Sequence, residues 1–233
     1  MYKKIIPYIN CEHEITANIY KEASGYEYGG ADEIYVFNYS KDESSIHEFL
    51  GTVKELTKII DIPIYIGCYA KRFEDIKKAF YTGAAYVIIK YSLLESLDVI
   101  KEASGRFGKD KIIVELDNYK DGLNETFLTS LMESGVYAIL IKHLEVTQDL
   151  LLQLDSVKMP VIIRDSLSNN DITTLLRPKK VIGLSTNYFK EKDITKAKNS
   201  LKEQDIQVNT FESQIAFSEF KLNSEMRNHL NKQ

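Results

Sequence analysis

Eight short runs of aliphatic, β-branched and aromatic residues punctuate the chain, at about 4–9, 33–38, 62–67, 85–90, 111–116, 137–142, 160–164 and 180–184. Most are apolar throughout rather than alternating. A strand of that kind is buried on both faces, which is the habit of parallel sheets covered by helices. Helix-like stretches lie between most of the runs, among them Ser45–Ile60, Phe73–Phe80, Leu93–Ser104, Leu123–Ser134 and Ile194–Glu203. In the first, Ile46, Phe49, Leu50, Val53, Leu56, Thr57 and Ile60 keep the three-to-four rhythm of one helix face.

The pattern also repeats. Gly30-Ala31-Asp32-Glu33-Ile34-Tyr35-Val36-Phe37 is echoed by the stretches beginning at Gly83 and Gly135, and the three glycines stand 53 and 52 positions apart. Each follows an amphipathic stretch and precedes a strand-like run, the arrangement of a glycine closing a helix. Ile62-Pro63-Ile64-Tyr65-Ile66-Gly67 pairs with Met159-Pro160-Val161-Ile162-Ile163-Arg164, and Lys4–Asn10 pairs with Lys111–Asp117. Eight strands alternating with helices over about 210 residues predict a (β/α)8 barrel, somewhat shorter than the usual ~250 residues. The spacing near one hundred residues makes it a barrel of two similar halves. An open, doubly wound sheet is the alternative, and the internal two-fold similarity favours closure. Residues 211–233 break the pattern: Phe211, Ile215, Phe217, Phe220 and Leu222 could cover the barrel, and the last ten residues are polar.

Composition narrows the function classes. Thirty basic and thirty-four acidic side chains leave a net charge of −4, so no basic excess speaks for a nucleic-acid partner. No apolar run approaches the ~18–20 residues of a membrane span, and the N-terminal run lacks the length and cleavage site of a signal peptide. A cytoplasmic protein is the expectation. The two cysteines, Cys11 and Cys68, neither frame a disulfide scaffold nor complete a zinc site with His13, His47, His143 or His229. Walker, dinucleotide-binding, nucleophile-elbow and metalloprotease motifs are absent, and no metal or cofactor is expected.

The first strand, Lys4-Ile5-Ile6-Pro7-Tyr8-Ile9-Asn10, resembles the opening of the half-barrel-duplicated enzymes of histidine biosynthesis, the cyclase subunit of imidazole glycerol phosphate synthase and its sister isomerase. Gly30-Ala31-Asp32-Glu33, Ile60-Asp61-Ile62-Pro63, Phe73-Glu74-Asp75, Arg106-Phe107-Gly108, Tyr188-Phe189 and Asp193-Ile194 fit the same scheme in the same order, over residues 1–210. Within that family the chain most resembles a divergent barrel fused ahead of a phosphoribosyl-AMP cyclohydrolase/phosphoribosyl-ATP pyrophosphohydrolase. On this resemblance 1–210 is the barrel, and 211–233 is a tail whose Phe220–Ser224 looks like the join to such a cyclohydrolase.

The resemblance implies a site at the C-terminal ends of the strands, with an aspartate ending strand 1 and another ending strand 5 as acid and base. Asp117 matches the second position and Asn10 replaces the first. A carboxamide cannot exchange a proton in the useful range, and Asp117 is read equally well as a turn-capping aspartate. The same resemblance implies two phosphate seats in glycine-rich turns after strands 3 and 7. Here those turns read Gly67-Cys68-Tyr69 and Arg164-Asp165-Ser166, with Lys90-Tyr91 after strand 4 and Ser185-Thr186-Asn187 after strand 8. Gly67, Lys90, Arg164, Ser185, Thr186 and Asn187 are the candidate phosphate contacts. Lys90, Lys142 and Arg164 end three strands, either holding an anion or merely snorkelling to solvent. His143 follows Lys142 at the same rim.

The leading expectation is therefore a barrel with a degenerate site: a non-catalytic structural, docking or ligand-sensing domain of the histidine pathway. Its implied partners are a phosphorylated pathway metabolite and other enzymes of that pathway. The alternative is an active isomerase or cyclase acting on a phosphorylated aminoimidazole carboxamide ribotide through Asp117.

Overall fold

The computed structural model describes residues 2–116, 123–142, 145–190 and 192–210. Eight strands pair in sequence order, every neighbour parallel, and β8 returns to β1, so the sheet closes into a barrel. The strands are β1 (Lys4–Asn10), β2 (Ile34–Asn38), β3 (Ile64–Cys68), β4 (Tyr86–Lys90), β5 (Ile112–Leu116), β6 (Ala138–Lys142), β7 (Val161–Arg164) and β8 (Val181–Thr186). Each is followed, among the described residues, by one α-helix: α1 (Thr16–Tyr28), α2 (Glu43–Ile59), α3 (Phe73–Phe80), α4 (Asp98–Phe107), α5 (Glu125–Glu133), α6 (Gln148–Ser156), α7 (Ile172–Leu176) and α8 (Ile194–Glu203).

The apolar runs divide by alternation into two cores. In β5, Ile112, Val114 and Leu116 join the outer core between sheet and helices, whereas Ile113 joins an inner cluster with Ile6, Tyr35, Tyr65, Ile88, Leu140 and Ile162. This double burial is why the strands read as continuous rather than alternating. Gly30, Gly83 and Gly135, the repeating glycines of the sequence, have φ of +93°, +90° and +91°. L-residues rarely take such values, so glycine is what lets each helix turn abruptly into the following strand.

Local side-chain chemistry sets the helix starts. Asp42, Asn124, Thr147, Asp171 and Asp193 each accept a backbone N–H of the first turn, satisfying donors that the helix itself cannot. The expected helix Leu93–Ser104 is corrected: a 3-10 turn occupies Tyr91–Leu93, and α4 begins only at Asp98. Ser96 accepts the Asp98 N–H at 2.9 Å and donates to its carboxylate at 2.7 Å, which resets the chain before the helix. The last strand runs beyond the expected 184, taking Ser185 and Thr186 into the sheet.

At the opposite, N-terminal end of the barrel, Asp32 closes the ring. Its carboxylate accepts the Ile5 N–H at 2.8 Å and the Lys198 ammonium of α8 at 2.7 Å. Lys3 donates to the carbonyls of Pro178 and Val181 nearby. The first strand is thus tied to the last helix and to the turn before β8.

Candidate functional site at the barrel mouth

The strand ends carry a pocket of about 470 Å³, lined by Tyr8 and Asn10 of β1, Phe37, Lys142, Arg164, the loop after β7 and Asn187. It sits over the β6, β7, β8 and β1 side of the mouth. Asp117, His143 and the tail from 211 lie outside the described residues.

Asn10 ends β1 at the surface, and its Oδ1 accepts the Glu12 N–H at 3.1 Å. The side chain makes a turn of the Asx kind, the local chemistry expected of a strand-end asparagine. Glu12 in turn accepts the Tyr39 N–H at 3.1 Å, which fastens the β1 and β2 loops together.

At the end of β3 the structure places Gly67 within the strand, not in a loose turn. Its inward face is covered: a Cβ there would lie 2.6 Å from the Tyr35 hydroxyl and 2.7 Å from that of Tyr39. The two hydroxyls are hydrogen-bonded to each other at 2.9 Å. Burial first, then neighbouring charge, pushes both phenols far above the ordinary tyrosine range, so both stay neutral. Lys90 lays its ammonium over the Tyr39 ring, 3.8 Å from the centroid, a close cation–π contact. Tyr69, two residues on from Gly67, has the ammonium groups of Lys41 and Lys71 at 5.7 and 5.6 Å from its ring centroid. Cys68 is buried, and desolvation lifts its thiol to about 12, as it does for Cys11.

The β7 side is built differently. Arg164 is the last residue of β7, pairs in register with Lys142 and Ser185, and points into the barrel. Its guanidinium lies 5.2 Å from the Phe37 ring, 5.8 Å from Tyr8 and 6.0 Å from Tyr35. Burial works against its charge, but Tyr35, Glu115 and their neighbours outweigh it and the pKa is raised. Asp165 does not project into the pocket as a free carboxylate. Its oxygens accept from the Leu167 N–H at 2.6 Å and the Asn170 amide at 2.7 Å, holding a tight loop in which Leu167 takes φ of +58°. Ser185 and Thr186 are 1% and 0% exposed within β8, so of that trio only Asn187 reaches the pocket.

One residue of the mouth has no counterpart among the sequence candidates. Glu115, wholly buried in β5, lies 2.9 Å from Lys142 Nζ and accepts from Arg164 at 3.2 Å. Two of the three strand-end cations therefore converge on one carboxylate, while Lys90 serves an aromatic ring. The signal was a lone acid at an inward position of Ile112-Ile113-Val114-Glu115-Leu116.

Among the described residues no cluster of three or more His, Cys, Asp or Glu side chains could hold a metal, and no helix is long and apolar enough to cross a membrane.

The closed parallel sheet, covered by helices, defines the class: a (β/α)8 barrel, whose candidate site is the pocket at the C-terminal strand ends. The model of the histidine biosynthesis protein family matches residues 9–151, and the chain belongs to that family. The match ends within α6, so Arg164 and the β8 residues lie beyond it. The imidazole glycerol phosphate synthase subunit HisF of Dictyoglomus thermophilum is 31% identical over 100 residues, 43% of this chain and 40% of that protein. The same subunit from Sulfurisphaera tokodaii is 31% identical over 115 residues, 49% of this chain and 45% of that protein. The matched stretch thus spans less than half the length of either relative. In the solved structure of Yersinia pestis DHPS with a pterine-sulfa conjugate, the fold is shared at a TM-score of 0.64, covering 88% of this chain and 93% of that one, with 12% identity.

Proposed function

We propose that this chain is a histidine-biosynthesis barrel that binds a phosphorylated pathway metabolite at its mouth without turning it over, as a ligand-sensing or docking domain. The observation that carries this reading is the inner face of β3. There the Gly67 backbone, which the resemblance assigns to one phosphate seat, is covered by the Tyr35 and Tyr39 hydroxyls. Two further features support it. Asn10 stands where an acid is required for proton transfer, and its amide oxygen is already engaged by Glu12. On the β7 side the pocket is open and carries Lys142, Arg164 and Asn187, which suits one anionic group rather than two.

In this proposal residues 1–210 form the binding barrel, and 211–233 is the stretch that joins it to a cyclohydrolase in the fused relatives it resembles. The setting is cytoplasmic, beside other enzymes of the pathway. A second reading, an isomerase or cyclase using Asp117, draws support from the open pocket that Asn10 still lines. Steady-state assays of wild type, Asn10→Asp and Asp117→Asn with aminoimidazole ribotide substrates separate the two. The expected result is no turnover in any of them, with a rise in melting temperature when a phosphorylated metabolite is added, since a native-state ligand stabilises by mass action. Robust wild-type turnover that vanishes in Asp117→Asn overturns the proposal in favour of the second reading.

A further inference from the structure

The charged side chains of the mouth are arranged in depth. Lys142 and Arg164 line the pocket and keep 14% and 15% of their side-chain surface exposed, whereas Glu115, paired with both, keeps none. A wholly buried carboxylate is costly unless its charge is matched, and here both of its oxygens are committed. Oε2 accepts from Arg164 at 3.2 Å, and Oε1 faces Lys142 at 2.9 Å in a contact that is ionic and not aligned as a hydrogen bond. Beside Arg164 in the β7–β8 register, the buried Ser185 hydroxyl has no hydrogen-bond partner among the described residues.

We propose that Glu115 is an internal anion that competes with the ligand for Lys142 and Arg164, and so sets the affinity of the mouth pocket for a phosphomonoester. This rests on the anion-binding reading given above and adds its control element. A phosphate entering the pocket must draw the two cations toward itself and leave Glu115 less well matched. Glu115 also repels the incoming charge directly. Both effects act in the same direction. Binding is weaker than two converging cations would otherwise give, and the ligand leaves readily, as a sensor requires.

The test is calorimetric titration of the full chain with inorganic phosphate and with ribose 5-phosphate, in wild type, Glu115→Gln and Arg164→Met. Glu115→Gln keeps shape and removes one negative charge, so both probes should bind about tenfold more tightly, the order of effect of a unit charge several ångströms away at a protein surface. Arg164→Met should abolish binding of both. A folded Glu115→Gln that binds no more tightly than wild type overturns the inference while leaving the anion site itself standing. Absence of binding to wild type and Glu115→Gln alike, both folded, removes the anion-binding reading and this inference together. Should Glu115→Gln unfold, Glu115→Met fills the same space with an uncharged side chain and keeps both Lys142 and Arg164. It should likewise bind phosphate more tightly than wild type, and equal or weaker binding counts against the proposal.

Discussion

Ser104 and Gly135 approach so closely that a methyl group on the glycine would lie 2.3 Å from the serine Oγ. The hydroxyl donates to the neighbouring Ser134 carbonyl at 2.9 Å, which places α4 against the turn between α5 and β6. An equivalent contact stands earlier in the barrel. Thr57 of α2 donates to the Thr82 carbonyl at 2.7 Å, beside Gly83. A helix hydroxyl, a carbonyl and a left-handed glycine thus recur at two successive repeats.

Gly135→Ala should accordingly cost about 2–4 kcal/mol, combining the left-handed backbone penalty with overpacking. Urea denaturation at neutral pH measures it. Adding Ser104→Ala should recover the packing part but not the backbone part. A double variant as stable as wild type would show that φ of +91° carries no cost here, contrary to the argument.

Asp32 and Lys198 form the second structural prediction. The lysine is 1% exposed, and burial pulls its pKa down against the opposing pull of Asp32. Lys198→Met leaves the Asp32 carboxylate, among the described residues, with only the Ile5 N–H donating to it, and breaking one side of such a pair costs ~3–5 kcal/mol. The double variant Asp32→Asn/Lys198→Met should be more stable than Lys198→Met alone, because no buried charge is stranded. The comparison is made by chemical denaturation of all three proteins, and equal stability of single and double variants would count against the stranded charge as the cause.

The barrel itself was readable because its signals are local and periodic. The runs around Ile34–Phe37, Val87–Ile89 and Ile112–Leu116 are apolar on both faces, and the glycines at 30, 83 and 135 mark three helix ends. The mouth was readable only in part. Asn10, Lys90, Arg164 and Asn187 are strand-end residues that chain position alone places at the rim. Whether Arg164 faces a ligand or a carboxylate depends on Glu115, 49 positions earlier, and no local pattern encodes that pairing. The covering of Gly67 is likewise tertiary, since Tyr35 and Tyr39 reach it from the neighbouring strand and the loop beyond. Ser185 and Thr186 look like turn residues by type, yet pairing with Ile6 and Pro7 carries them into the sheet.

Asp75 supplies a pH dependence. Burial opposes its charge, but the N–H groups of Arg72 and Lys71, at 3.1 and 3.2 Å, and the Arg72 side chain outweigh it, and its pKa is lowered. A carboxylate depressed on folding contributes stability that is present above its unfolded pKa of about 4 and is lost as pH falls through the lower folded value. Asp75→Asn should therefore flatten the stability profile in that acidic window and cost about 1 kcal/mol at neutral pH, the usual effect of losing a helix N-terminal cap. Melts of both proteins from pH 7 downward provide the check, and parallel curves would dismiss Asp75 as a contributor.

Gly67 offers the sharpest distinction between a packing glycine and a phosphate-seating one. A glycine that seats phosphate tolerates alanine in the free protein and loses ligand affinity, because the added methyl blocks the approach of the anion. A glycine against which side chains pack behaves in the opposite way. With Tyr35 Oη at 2.6 Å and Tyr39 Oη at 2.7 Å from the position of the new methyl, Gly67→Ala must displace the buried Tyr35 phenol and the half-buried one of Tyr39. Overpacking of that kind costs about 1–3 kcal/mol. Tyr35→Phe in the same chain removes one of the two obstructing oxygens, so the double variant should regain part of that stability. Phosphate affinity at the Lys142–Arg164 pocket should change by less than about twofold in Gly67→Ala, since β3 stands across the barrel from β7 and the Arg164 contact is to the Tyr35 ring, not its hydroxyl. Urea denaturation and phosphate titration of the two variants decide the matter: a stable Gly67→Ala protein with weakened phosphate binding would return Gly67 to the role of a phosphate seat.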